Sequence, residues 1–148
     1  QTGKSQLMPL VLMDKPGGTY WKTWDRNVRE HLLRDQLISA DDLQLYQFTD
    51  DPAEAVKWIT RFYRNYHSSR FVKDLLVLRL KHAPPLTALA ALNEDFADII
   101  EGEEIQVIGP TGEELDDDDQ VHLARIAFGF DRRQHGRLRQ LIDALNHY

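Results

Sequence analysis

Three stretches of the 148-residue chain combine residue types and spacings that can do chemistry. The first is Pro16-Gly17-Gly18-Thr19, between an apolar run and an amphipathic stretch, where the carboxyl end of a strand would meet a helix N-terminus. Backbone N–H groups of Gly17, Gly18 and Thr19 at such a junction can hold a phosphate. A tight turn of positive φ followed by an N-cap uses the same residues. The second is Arg64, His67, Ser68, Ser69 and Arg70, where two guanidiniums flank hydroxyls and suit a phosphate or carboxylate. Tyr63 or Tyr66 would offer a ring for a base to stack on. Cations beyond a helix end are equally what the helix dipole favours with no ligand present. The third is Arg132, Arg133, His135, Arg137 and Arg139 at the start of the last predicted helix, where basic residues oppose the dipole and so point to a nearby anion or acidic partner. Asp116 to Asp119 can supply that charge internally. Those aspartates lack the spaced ligands and glycine of an EF-hand loop. No His or Glu spacing argues for zinc and no Ser-His-Asp order can be defended, so no catalytic residue, metal ligand or cofactor is assigned.

The elements that must position these groups follow from periodicity. Leu10-Val11-Leu12-Met13 is a continuous apolar run, as in a parallel strand covered on both faces. Trp21, Trp24, Val28 and Leu32 recur at helical spacing after Thr19, with Lys22, Asp25, Arg26 and Arg29 facing water, so the helix is expected to pack through its tryptophans. Leu43 to Phe48 reads as a strand. Thr49-Asp50-Asp51-Pro52 reads as a helix start, with Val56, Ile59, Tyr63 and Tyr66 along one face and Trp58 and Phe62 alongside. Residues 1–62 therefore read as the closing β-α-β-α half of a doubly wound, Rossmann-like parallel sheet. Residues 63–148 read as an appended α+β unit of order β-α-β-β-α: strand Leu75 to Leu80, helix Leu86 to Ile100, strands Ile105 to Ile108 and Leu123 to Phe130, and a helix from about Gln134. The acid run from Gly112 to Asp119 is expected to be a mobile loop, because its like charges repel.

Composition bounds the function classes. Apolar residues make up 42% and charged residues 28%, ordinary for a globular chain able to bury a core. A net charge of −6 argues against a general DNA- or RNA-binding surface. No apolar run reaches the roughly 20 residues of a membrane span. The absence of cysteine excludes disulfides and thiolate metal sites and fits a cytoplasmic setting. The chain starts Gln1-Thr2-Gly3-Lys4 without an initiator Met, and its first predicted strand has no earlier neighbour, so it is expected to be the C-terminal piece of a longer protein, closed by the helix Leu138 to Tyr148.

Roughly residues 1–62 resemble the C-terminal half of the LOG family, the lysine-decarboxylase-like proteins. The resemblance rests on Gln1-Thr2-Gly3-Lys4, on Pro9 to Met13, on Gly17-Gly18-Thr19-Tyr20-Trp21, on Leu37-Ile38, and on Asp50 to Val56, taken as an ordered set. Tyr63 to Arg79 and Phe130 to Arg139 resemble the extension carried by longer bacterial members. The resemblance implies a nucleoside 5′-monophosphate phosphoribohydrolase, a nucleoside monophosphate as partner and a homo-oligomer. The family signature Pro-Gly-Gly-x-Gly-Thr-x-x-Glu is not met: Thr19-Tyr20-Trp21 follows Pro16-Gly17-Gly18, and Trp24 stands where the Glu is needed. No catalytic residue of the family is carried over, and the piece alone is expected to be inactive. A nucleotide-sensing, oligomerisation or regulatory module is the alternative reading.

Overall fold

The computed structural model describes residues 6–148 and shows a mixed α/β chain with two separate sheets. β1 (Leu10–Met13) pairs in parallel with β2 (Tyr46–Thr49), Leu10 opposite Tyr46 and Met13 opposite Thr49. The connection between them contains α1 (Tyr20–Asn27), which runs on as a π-helical segment over Val28–Leu33, and a 3₁₀ turn over Asp41–Leu45. α2 (Pro52–Phe62) follows β2, with Asp51 capping it by accepting from the Ala53 N–H and Pro52 in its first turn. Among the described residues the parallel sheet has two strands, so one βαβ unit is present and a wider doubly wound sheet is not seen.

Cover on this sheet is thinner than the apolar run predicts. Leu10 and Met13 are about half exposed, and Val11 and Leu12 are only partly buried. α1 buries none of its residues completely. Trp21 turns its indole N–H to the Met13 carbonyl (2.9 Å), Trp24 stays more than a third exposed against the edge of Tyr46, and Val28 is the buried anchor. The Tyr46 hydroxyl donates to Asp25 (2.6 Å), which also pairs with Arg29, and so ties α1 to β2. Burial first, and then that bond to Asp25, pushes the Tyr46 hydroxyl well above its usual range.

The second sheet has strand order β3-β4-β6-β5, all antiparallel: β3 (Tyr66–Val72), β4 (Leu75–Leu80), β5 (Gln106–Ile108) and β6 (Ala124–Gly129). β3 corrects the sequence reading, which put Tyr66 on the face of the preceding helix. α2 ends at Phe62, and Tyr66 begins an edge strand paired to Leu80. The predicted helix Leu86 to Ile100 is also cut short, into α3 (Leu86–Asp95) and a 3₁₀ turn Ala97–Ile99.

Alternation gives this sheet two faces. Leu76, Leu78, Leu80, Ile126 and Phe128 pack with Phe62, Tyr66 and the buried side of α5 (His135–Leu145) in the main core. On the opposite face Val72, Val77 and Ala127 form a small apolar group. The acid run does not float over that face. Gly112–Asp116 forms one helical turn, α4, closed by a capping box in which Thr111 and Glu114 each serve the other's backbone.

Two connections tie the βαβ unit to the second sheet. Asn146, at the end of α5, accepts from the N–H groups of Asn65 and Tyr66 (2.8 Å each) and donates to the Phe62 carbonyl (2.7 Å). Asn65 reaches back to the Leu145 carbonyl and pairs with the His82 backbone. Gly136 lets α5 close on the 3₁₀ turn, since a Cβ there would sit 2.3 Å from the Asp41 carbonyl. Gln140 then bonds the Asp41 carboxylate (2.8 Å).

Candidate functional site

The carboxyl ends of β1 and β2 open into a cleft of about 190 Å³ lined by Asp14, Gly18, Trp21, Lys22, Phe48, Thr49, Asp50 and Glu54. This is where open parallel sheets receive ligands. Gly17 takes φ +72°, which only glycine adopts without strain, and that turn aims its N–H at Asp50 Oδ2 (2.7 Å). Asp14 accepts from the N–H groups of Lys15 and Tyr20 (2.9 Å each), so it, and not the Thr19 side chain, serves the first N–H of α1. Gly18 donates to the Lys15 carbonyl (2.8 Å) and is packed against the Asp14 carboxylate.

These bonds change what the junction can hold. The backbone donors of Gly17, Gly18 and Tyr20 already face oxygens of the chain, and carboxylates stand where a phosphate would. The cleft therefore presents acceptors. Asp14, Asp50 and Glu54 line it beside the aromatic faces of Trp21 and Phe48, and Thr49 donates to Glu54 at its floor. No group of His, Asp or Glu among the described residues is placed to hold a metal ion, these carboxylates included. A ring bearing hydroxyl or amino donors suits such a lining.

A second, more open groove of about 500 Å³ shares Asp14 and runs along α1, lined by Lys15, Thr19, Tyr20, Thr23, Trp24 and Asn27. Lys15 and Lys22 enter no ion pair among the described residues, whereas most of the arginines do. Two exposed lysines, Lys22 on the cleft and Lys15 on the groove, thus bring positive charge to a lining of carboxylates.

The basic cluster after α2 is not brought together as a phosphate site. Arg64 is exposed in the bend ahead of β3, while Arg70 lies about 13 Å along that strand from its first residue, Tyr66. Arg70 pairs with Asp117 and Asp119 at 3.0 Å each, which raises the pKa of its guanidinium. His67 is exposed and bonds Ser68 Oγ (2.9 Å). Tyr66 is buried in the main core and stacks on Tyr63, so its ring is closed to a base.

The third cluster is dispersed among structural partners. Arg132 lies over the Phe71 ring and donates to the Lys73 carbonyl. Arg137 forks onto Asp98 (2.8 Å through both Nε and Nη2) above the Phe96 ring, and it holds the Asp98 carboxyl below its ordinary range. Arg139 covers Phe62 and pairs with Asp143. Arg132 and Arg133 are both exposed and enter no ion pair among the described residues, and the Arg133 backbone N–H donates to Asp131. The acid run serves Arg70, Arg79 and Arg125 instead of these.

Sequence reasoning missed Asp14, Lys15, Lys22, Asp50 and Glu54 as site residues. Asp50 and Glu54 were legible only as helix-start acids, and Asp14 only as the end of an apolar run. The one available signal was position, since Asp14, Lys15, Asp50 and Glu54 follow the carboxyl end of a parallel strand within five residues, whereas Lys22 lies on the helix beyond. No family model, no curated protein and no solved structure matches the chain.

Proposed function

We propose that this chain is the closing half of a LOG-like nucleoside 5′-monophosphate phosphoribohydrolase, binding the nucleoside at the carboxyl ends of β1 and β2 without cleaving it alone. In this reading the parallel pair belongs to a doubly wound sheet and residues 63–148 are an appended unit. One observation carries it: the cleft at the carboxyl ends of two parallel strands joins carboxylate acceptors to the Trp21 and Phe48 rings. At about 190 Å³ it is smaller than the roughly 300–1,000 Å³ of a pocket for a whole nucleotide. One ring enters, donating its hydroxyl or amino hydrogens to Asp50 and Glu54, and the rest of the ligand follows the α1 groove. Lys15 or Lys22 then meets the phosphate at the rim.

Titration calorimetry with adenosine and AMP tests this. Glu54→Ala should weaken both ligands about tenfold, the loss of one charge-assisted hydrogen bond. Lys15→Ala combined with Lys22→Ala should weaken AMP about fivefold and leave adenosine unchanged, since exposed cations contribute only about 1 kcal/mol. Affinity unchanged by Glu54→Ala in a folded variant sinks the proposal.

A second reading, an oligomerisation module, is favoured by the outer side of α2. Val56, Ile59 and Tyr63 stand one turn apart and are 58%, 40% and 37% exposed, an apolar stripe beside the buried Ala55 and Phe62.

A further inference from the structure

The outer face of the four-stranded sheet brings three guanidiniums together from three adjacent strands: Arg70 on β3, Arg79 on β4 and Arg125 on β6. Arg79 and Arg125 lie directly opposite each other in the antiparallel register, and their side chains are only 4% and 0% exposed. Like charges in that position destabilise a sheet unless an anion lies between them. Glu114 is that anion, with one oxygen on Arg79 Nε (2.8 Å) and the other on Arg125 Nε (2.9 Å).

Further out the arrangement differs. A single oxygen, Asp119 Oδ2, bridges Arg70 Nη1 (3.0 Å) and Arg79 Nη2 (2.6 Å), and Asp117 Oδ2 crowds the same Arg70 nitrogen at 3.0 Å. Ser68 Oγ accepts from Arg79 Nη1 (3.3 Å) and completes the rim. Two carboxylates from a run of four consecutive aspartates are thus held against one pair of guanidiniums, at the cost of mutual repulsion within the run. The Asp117 carboxylate is still 60% exposed and the Asp119 carboxylate 34%. The backbone beneath them is anchored separately, because Arg125 donates to the carbonyls of Asp119, Gln120 and Leu123. The two aspartate side chains can therefore swing out while α4 and Glu114 stay in place.

We propose that Arg70 and Arg79, with Ser68, form a binding site for a multiply charged phosphate group, occupied in this structure by the chain's own Asp117 and Asp119 as an internal competitor. One phosphate carries the charge of both carboxylates on a single centre, and its oxygens match two adjacent guanidiniums. Binding displaces the two carboxylates from the guanidiniums, so the face is a site whose occupancy the acidic segment controls. The site lies on the appended unit and is independent of the cleft between β1 and β2.

Pyrophosphate is the probe, titrated calorimetrically into the whole chain at low salt. Asp117→Asn with Asp119→Asn should bind it at least tenfold more tightly than the wild type, and adding Arg70→Ala should return the affinity to the wild-type level. Arg133→Ala, which alters an exposed cation elsewhere, should change nothing. A folded double variant that binds pyrophosphate no better than the wild type overturns the proposal, as does enhanced binding that survives Arg70→Ala. Should the double variant fail to fold, Asp117→Asn alone carries the comparison, with at least a threefold gain expected and no gain counting against the site.

Discussion

Glu114 sits where one residue answers several demands. It caps α4, separates two cross-strand arginines and is itself fully buried. Burial pushes its carboxyl up, but the Thr111 N–H and the guanidiniums of Arg79 and Arg125 outweigh that effect and hold it at about 2, below the ordinary 4.5. A carboxyl whose folded pKa is depressed contributes stability that is complete above its unfolded value and disappears as pH falls through the folded one. The chain should therefore lose stability between about pH 4.5 and pH 2, as measured by urea midpoints across that range. Glu114→Gln should flatten much of this acid slope. At neutral pH it should cost about 3–5 kcal/mol, because it leaves the buried Arg125 guanidinium without its carboxylate and Arg79 with Asp119 alone. An unaltered acid slope in the variant would show that other carboxyls govern the transition. The sequence hides this role. Glu114 looks like one member of a solvated acid run, and its partners Arg79 and Arg125 stand singly inside apolar strands.

Elements with their own local signals were legible, and those defined by distant partners were not. Asp51-Pro52 starts α2 where the capping chemistry says it should, and the apolar runs of β1 and β4 are strands. β3 escaped because Tyr66-His67-Ser68-Ser69-Arg70 is polar and lies on a sheet edge, with a bulge between Tyr66 and Ser68 that breaks its alternation. The helical turn α4 escaped because charge repulsion was weighed without the arginines that neutralise it. The fit between the βαβ unit and the second sheet was also unreadable, since it rests on Asn65 and Asn146, separated by most of the chain. Asn146→Ala would leave the buried N–H groups of Asn65 and Tyr66 without their acceptor, at roughly 1–3 kcal/mol for each. Chemical denaturation should show a loss of about 2–6 kcal/mol. A loss under 1 kcal/mol would mean that this latch does not hold the two parts together.

At the scale of the molecule, the contrast between the two sheets matters most. The antiparallel sheet packs a closed core on one face and an ion cluster on the other, whereas β1 leaves Leu10 and Met13, and α2 leaves Val56 and Ile59, substantially exposed. Free strand edges and apolar stripes of this kind pair with other chains. Sedimentation at increasing concentration should show self-association, weakened by Ile59→Lys with Tyr63→Lys; a monomer at every concentration would remove the oligomerisation reading. No helix among the described residues is long and apolar enough to cross a membrane. The candidate site was legible only in outline, as a glycine turn between strand and helix. The turn takes the positive-φ form that was one of its two readings, and only the phosphate reading is reversed, because Asp50 and Asp14 take the N–H groups of Gly17 and Tyr20.

The same reversal supplies the central test. Incubated with AMP, the chain should release no adenine by chromatography, yet it should bind the nucleoside at the mouth of the parallel pair. Backbone and indole N–H resonances of the whole chain, followed during titration with AMP, decide between the sites. Saturable shifts are expected at Gly17, Gly18, Lys22, Glu54 and the Trp21 indole. A titration that leaves those five groups unmoved would contradict nucleoside binding at the parallel pair.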